Sequence, residues 1–371
     1  MELEQRIERY RAIEAYRGKP LIVYATSTRE NVGAMMASDA VRELIDQVDA
    51  IRDHRTVDIM IHSSGGDPLA AWKLMSILRE RFDQVSVLVP FMAFSAATLF
   101  ALGANEIVMH PHASLGPIDP QIQVLMPDGS RRGFSYEDVG AFLRFLQEEA
   151  KISEQSFTQP LIDRLFTTVD PVNLGGAKRA SELSTTVGER LLRTHMKGAD
   201  ETNRARRIAE NLNKSFFAHG DAVSRSRARE IDLQVASDDP RLEDLIWQAY
   251  LGLESRMQLR KPFSPLQIFL EDQRGAAALT PCAPFTMPPN TPPQLVDQVW
   301  GQLAQQAVTK LGNPAVEVEY VQINAVVEST RVASEHSTTG RITATRAIGG
   351  DIQLSVVVTF GGWHECSIRG I

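Results

Sequence analysis

The stretch that most restricts this chain is Val85–Ala104, 20 consecutive residues without a charge in a protein of 371. A single helix of that length would span a bilayer. This one opens with Val-Ser-Val-Leu-Val, which has strand character, and Pro90, Ser95, Thr98 and Gly103 then interrupt it. The breaks divide it into a buried strand, a turn and a buried helix.

The flanking sequence repeats that arrangement. Residues 2–17 have a helical period, with Leu3, Ile7, Tyr10 and Ile13 on one side and Gly18 as the stop. Between Pro20 and Thr26 lies a short apolar strand, and Ser38 or Asp39 can cap a helix running to Ile51. A second strand, Val57–Ile61, leads into His62-Ser63-Ser64-Gly65-Gly66-Asp67, and Pro68 suits the first turn of the next helix. After the uncharged stretch, Glu106–Met109 reads as another short strand. Strands alternating with helices at this spacing predict right-handed βαβ units and a mainly parallel sheet, an α/β fold.

Beyond Pro120 the pattern changes. Gln121–Gly133 reads as a hairpin or loop around Pro127-Asp128-Gly129. Helical stretches are expected at 135–151, 177–196 and 200–217, broken by Pro171 and Gly175-Gly176. A short helix at Ser224–Ile231, a closing strand Leu233–Val235 and a helix at 240–256 follow. Thr280–Pro293 holds six prolines and no charge, the composition of an extended linker. Past it come a helix (294–311) and strand-like runs at 315–328, 340–348 and 351–360, the last two joined at Gly349-Gly350-Asp351. The expected organisation is a main domain over 1–275 with a helical insertion at 121–217, a linker at 276–293, and a separate small α+β domain at 294–371.

Lys and Arg number 39 against 46 Asp and Glu, a net charge of −7, so no basic excess exists to drive nucleic-acid binding. The two cysteines, Cys282 and Cys366, form no CxxC pair, which argues against a disulfide scaffold or a zinc site and fits a reducing compartment. The N-terminus lacks a basic segment leading into an apolar one. A soluble, cytoplasmic protein with no membrane span, metal or cofactor is the expectation.

Two places could carry chemistry. Gly65-Gly66 ends a strand and opens a helix, where backbone N–H groups can approach an anion; an ordinary glycine turn has the same pattern. The spacing GxxxxGK[ST] of a phosphate loop is absent. Ser95 lies one βαβ unit later, also at a strand-to-helix junction, so both open on the same edge of a parallel sheet. A serine there is either a helix cap or a nucleophile whose attack creates an oxyanion beside the Gly65-Gly66 amides.

The segments "IHSSGGDPLAAWKLMSILRERF" and "VSVLVPFMAFSAATLFALGANEIVMHPHASLGPIDPQI" resemble the ClpP/SppA superfamily of serine peptidases, and within it the serine dehydrogenase proteinase family. A later segment, "FFAHGDAVSRSRAREIDLQV", resembles the helix and closing strand downstream in these proteins, so the likeness extends over about 20–255. It implies a ClpP/crotonase-like spiral of ββα units, homo-oligomeric assembly, and a peptide or unfolded protein segment as substrate. Ser95 in Phe94-Ser95-Ala96-Ala97-Thr98 matches the nucleophile, with Ala97 where a glycine is usual. The oxyanion donors would be the N–H groups of Gly66 or Gly65, and of Ala96.

The general base stays open. ClpP-type enzymes place a His about 25 residues after the Ser, where this chain has Ile118; His110 and His112 come too early. SppA-like enzymes use a buried Lys at the start of a later helix. Lys178, opening the expected helix at 177–196, matches that place, and Lys151 is second. His219 lies near the position of the ClpP-type third triad member. Asp119, in "GPIDPQ", reads as a turn residue. The leading expectation is an ATP-independent serine endopeptidase, with no Walker motif in the chain. The alternatives are a crotonase-type acyl-CoA enzyme using the same amides with Glu or Asp acid/base groups, and a weakly catalytic scaffold.

Overall fold

The computed structural model describes residues 2–125, 129–152, 154–214, 222–279, 286–311, 316–346 and 352–368. Helix α1 (Leu3–Arg17) precedes β1 (Leu21–Thr26), and α2 (Ala40–Ala50), β2 (Thr56–His62), α3 (Pro68–Arg81) and β3 (Gln84–Val89) follow. The uncharged stretch continues into β4 (Met92–Ala93) and α4 (Ala96–Leu102), before β5 (Glu106–Met109) and β6 (Ser114–Leu115). A hairpin, β7 (Ile122–Leu125) and β8 (Arg131–Phe134), leads into α5 (Tyr136–Arg144) with a π-helical turn, then α6 (Gln155–Thr168), α7 (Pro171–Leu192) and α8 (Ala199–Lys214). Next come β9 (Val223–Ser224), α9 (Arg225–Glu230), α10 (Pro240–Met257), α11 (Pro265–Glu271) and α12 (Gln273–Ala278). Helix α13 (Val296–Leu311) precedes three long strands, β10 (Glu317–Ser329), β11 (Ala333–Arg346) and β12 (Ile352–Glu365).

Seven strands form one sheet in the order β12-β11-β10-β1-β2-β3-β5. From β1 to β5 the pairings are parallel; from β1 outward through β10, β11 and β12 they are antiparallel. Every residue of β1 is buried, and its side chains alternate between two layers. Ile22 and Tyr24, with Ile59, Ile61 and Val87, pack against Leu44, Leu74, Met75 and Phe100 of α2, α3 and α4. Leu21, Val23 and Ala25, with Met60 and Leu88, pack against α1 and α10 through Ile7, Tyr10, Ile13, Ile246 and Leu253. Each of these large side chains contributes about 1.5–3 kcal/mol on full burial. Val187 and Leu191 of α7, and Ala205 and Ile208 of α8, add a further layer to the first cluster.

The mixed α/β architecture with a parallel-rich sheet agrees with the sequence reading, and five details differ. The C-terminal strands do not make a sheet of their own. β10 pairs with β1 from Ile22↔Ser329 to Thr26↔Ala325, extending the main sheet, so the expected separate domain at 294–371 is corrected. Buried ionic groups reinforce the join: Arg6 of α1 donates to Glu328 of β10 (Nε to Oε2, 3.0 Å) and to Glu335 of β11 (3.2 Å), and the Tyr10 hydroxyl donates to Glu328 (2.8 Å). The expected linker is also shorter at its start, because 276–278 belong to α12; residues 280–285 of it lie outside the described residues.

In the insertion, Pro171 starts a helix instead of breaking one. Asp170 accepts from the N–H groups of Val172 (2.8 Å) and Asn173 (3.2 Å), and the proline occupies the first turn, where its missing N–H costs nothing. The helix then runs through Gly175-Gly176, and α6, with Pro160 inside it, was not expected at all. Leu233–Val235 is reduced to a single bridge between Val235 and Ile107.

Candidate active site

The site begins where β2 ends. Ser63 pairs with the β4 segment on both sides: its N–H donates to Met92 O (3.1 Å) and its carbonyl accepts from Phe94 N (3.0 Å). Its hydroxyl accepts from Thr26 Oγ1 (2.7 Å) and from the Gly65 N–H (3.1 Å). The turn Ser63–Gly66 is thereby stitched to the residues that lead into Ser95.

Gly65 and Gly66 have φ of 109° and 148°, a region open to glycine. A Cβ on Gly65 would lie 2.7 Å from both Phe94 O and Ser95 Cβ, and one on Gly66 would lie 2.1 Å from Met36 O. Both positions therefore require glycine, and Gly65 sits directly against Ser95. Met36 pairs with Gly66 as a short parallel bridge: its N–H donates to Gly65 O (2.7 Å) and its carbonyl accepts from Asp67 N (2.9 Å).

Ser95 itself has φ 50° and ψ −115°, half-buried at the entrance of α4, and its side chain makes no capping hydrogen bond. Positive φ in a non-glycine residue is strained and persists only where the surroundings impose it. Thr98 braces the surroundings: its hydroxyl lies 2.7 Å from Ala93 O and 2.9 Å from Gly116 O, one of which takes its single proton, and it accepts from Gly116 N (3.0 Å), fixing the strand before Ser95 to the loop beside it. A strand-turn-helix junction of this kind presents the hydroxyl outward. Among the described residues, the Gly66 and Ala96 N–H groups have no hydrogen-bond acceptor, while that of Gly65 is held by Ser63. Of the two glycines, Gly66 is thus the available donor and Gly65 the point of close approach.

The expected bases fare differently. Lys178 lies two turns inside α7, not at a helix start; its side chain is 56% exposed and pairs with Glu182 at 3.7 Å. It lines an open cleft of about 380 Å³ with Tyr136, Glu189, Arg206 and Glu210, and Ser95 is not among the lining residues. The burial that its role required is missing. Lys151 is exposed at φ 55°, and His219 lies outside the described residues. The segment carrying His219 is bracketed, however. Before it, Leu212 O accepts from Ile118 N (2.9 Å); after it, β9 pairs with β6, which pairs with β4.

Other titratable groups are committed elsewhere. Asp67 caps α3 by accepting from Leu69 N (2.8 Å), and Glu106 pairs with Arg17 (2.7 Å). His110 stacks on Trp247 (4.8 Å between ring centroids) in the layer of α10. His62 faces that same layer beside Tyr250, and burial pushes its pKa down to about 4. Away from this region, Glu335, His364 and Cys366 bring one ligand atom each within 4.8 Å of one another. Arg6 and Arg256 already hold that carboxylate, and burial pushes the Cys366 thiol up to about 11, so a cation is disfavoured there.

Residues 31–131, which include Met36, Gly65, Gly66 and Ser95, match the model of the ClpP-like SDH-type serine proteinase family. An uncharacterized protein of Methanocaldococcus jannaschii is 25% identical over 199 residues, covering 54% of this chain and 58% of that protein. The chain thus spans little more than half the length of that relative. A membrane-bound stomatin-specific protease is similar in structure at TM-score 0.35 and 15% identity, covering 56% of this chain and 77% of that one. The ClpP protease catalytic domain of Plasmodium falciparum is similar at TM-score 0.33 and 11% identity, covering 65% and 93%. Among the described residues, no helix is long and apolar enough to cross a membrane.

Proposed function

We propose that this chain is an ATP-independent serine endopeptidase acting on peptides or unfolded segments, with Ser95 as nucleophile. The observation that carries the reading is the strained Ser95 beside two unoccupied N–H donors, Gly66 and Ala96. Ser95 Oγ would attack the scissile carbonyl carbon while a base accepts the hydroxyl proton. The carbonyl oxygen becomes an oxyanion facing the two amides, a donor arrangement of which each member is worth about 10²–10³ in rate. The base then passes the proton to the leaving amine, and water releases the acyl group by the same steps.

For the base we favour His219 over Lys178 and Lys151. Three residues lie between His219 and Val223 of β9, so four residue steps limit the reach to at most about 14 Å. From β9 the sheet continues through β6 to β4, two residues before Ser95. A neutral imidazole at that reach suits proton transfer near neutral pH.

Homo-oligomeric assembly is part of the proposal. Leu143, Phe145, Phe157, Phe166 and Val172, all in the helical insertion, expose large apolar side chains, as an interface between copies would require. The test of the whole reading is intact-mass detection of a fluorophosphonate adduct. The adduct should form on the wild type, vanish in Ser95→Ala and His219→Ala, and survive in Lys178→Ala and Lys151→Ala. An adduct that persists in Ser95→Ala removes the nucleophile. Loss in Lys178→Ala but not in His219→Ala moves the base to α7. No adduct on a folded wild type favours the scaffold.

A further inference from the structure

The loop that grips Gly66 is itself held from the far end of the chain. Met36 fixes the Gly65–Asp67 backbone through two hydrogen bonds, and its carbonyl occupies the space a Gly66 side chain would need. Three residues on, Asp39 stands directly before α2. An aspartate there ordinarily accepts from the first-turn amides of its helix. This one makes no such bond. Its carboxylate accepts instead from the indole N–H of Trp363 on β12 (2.8 Å), and the His336 Nε2 of β11 lies 3.9 Å away.

The partners of Asp39 are fixed in turn. The His336 and Trp363 rings meet edge to face, with centroids 5.4 Å apart. Asn324 holds His336 Nδ1 at 3.1 Å and donates to Thr338 Oγ1 at 2.7 Å; it sits at the irregularity in the β10–β11 register. The carbonyl of the same residue accepts from Ser27 N (2.7 Å), just past β1. Between this polar chain and the loop is a cavity of about 380 Å³, walled by Gly33, Met35 and Ala37 on one side and by Gln322, His336 and Trp363 on the other. The loop is therefore suspended between Gly66 and the C-terminal strands, with open space behind it and Asp39 as its tie.

We propose that Asp39, Trp363 and His336 are positioning residues: they tension the Met36 strap and so aim the Gly66 N–H at the developing oxyanion. The inference rests on the Ser95 reading above, and it gives the C-terminal strands a part in the chemistry without touching substrate. A relaxed strap leaves Ser95 in place but misdirects one of two donors.

The full-length chain provides the test, through saturation kinetics of fluorophosphonate acylation and amide hydrogen exchange. Asp39→Ala and Trp363→Phe should lower the maximal acylation rate at least about tenfold, since losing an oxyanion donor outright costs about 10²–10³. The half-saturating probe concentration should stay within about twofold, because only transition-state binding is lost. Asp39→Asn keeps an acceptor for the indole and should stay within about threefold of wild type. The Asp67 amide, bonded to Met36 O, should exchange faster in the first two variants and not in the third. Wild-type rates in Asp39→Ala with unchanged Asp67 protection overturn the latch, as does a loss confined to half-saturation. If Asp39→Ala does not fold, Trp363→Phe carries the same expectations. A wild type that is not acylated refutes the Ser95 reading, and exchange at Asp67 then judges the latch by itself.

Discussion

In the parallel half of the sheet, each strand pairs with the strand next in sequence or one unit on: β1 with β2, β2 with β3, β3 with β5. The antiparallel half reaches β1 only through β10, which begins at Glu317. The first half carries Gly66 and Ser95 at its strand ends. The second carries no candidate catalytic group, yet it closes the β1 edge, buries Arg6 and Tyr10, and holds the loop behind Gly66. The candidate catalytic residues thus come from local units, and the contacts that hold their surroundings come from distant ones.

The most direct way to break this comparison is to remove the second half. A chain truncated after Gly275 loses β10 to β12, opens the fully buried β1 to solvent and leaves Arg6 and Tyr10 without Glu328. It should show no cooperative thermal transition by circular dichroism. A cooperative melt would make the two halves independent units, as the proline-rich stretch first implied.

Second in size is Glu328→Ala. Arg6, at 1% exposure, would then lose its Glu328 carboxylate and keep that of Glu335, and breaking a buried pair costs about 3–5 kcal/mol. Urea denaturation should register that loss, and the apolar pair Arg6→Met with Glu328→Leu should recover most of it. If the single variant is neutral, the join between the halves does not depend on this network.

A smaller effect tests the parallel half. His62 is fully buried at the end of β2, with Thr28 Oγ1 at 3.0 Å from Nε2 and, among the described residues, no partner for Nδ1. The unfolded chain protonates this residue near 6.5 and the folded one near 4, because burial disfavours the charged ring. Its contribution is complete above pH 6.5 and is lost as pH falls through about 4, to a total of ~3 kcal/mol at about 1.4 kcal/mol per unit. The difference in stability between wild type and His62→Gln, followed from pH 7.5 to 4, should trace that slope. A flat difference would mean that the ring is hydrated.

The parallel half was legible because its signals are local. The break of apolar sequence at Pro90 and Ser95, the Gly65-Gly66 pair and the Asp67-Pro68 start each act within a few residues. The helix start near Lys178 is displaced because a proline in a helical pattern can either end a helix or begin one, and only the Asp170 cap decides. Met36 and Trp363 carry no signal at all, and Asp39 reads only as a helix cap, a bond that its carboxylate does not make. Their roles depend on contacts across up to some 320 residues of sequence, which neither periodicity nor a short motif records. The strands after residue 315 are recognisable as strands, but an edge pairing with β1 leaves no mark in either sequence, since a strand's own residues do not name its neighbour in the sheet.

The β1–β10 pairing also has a bearing on how the chain is made. Arg6 and Glu328 are 322 residues apart, so at about 5–20 residues per second a ribosome delivers the second on the order of 15 to 60 s after the first. Throughout that interval β1 has an open edge, and a complete set of strand-helix units waits for the last strands to arrive. The nascent chain must be kept from pairing that edge with a neighbour, and the arrival of β10 to β12, which hold none of the candidate catalytic residues, determines when this sheet can close.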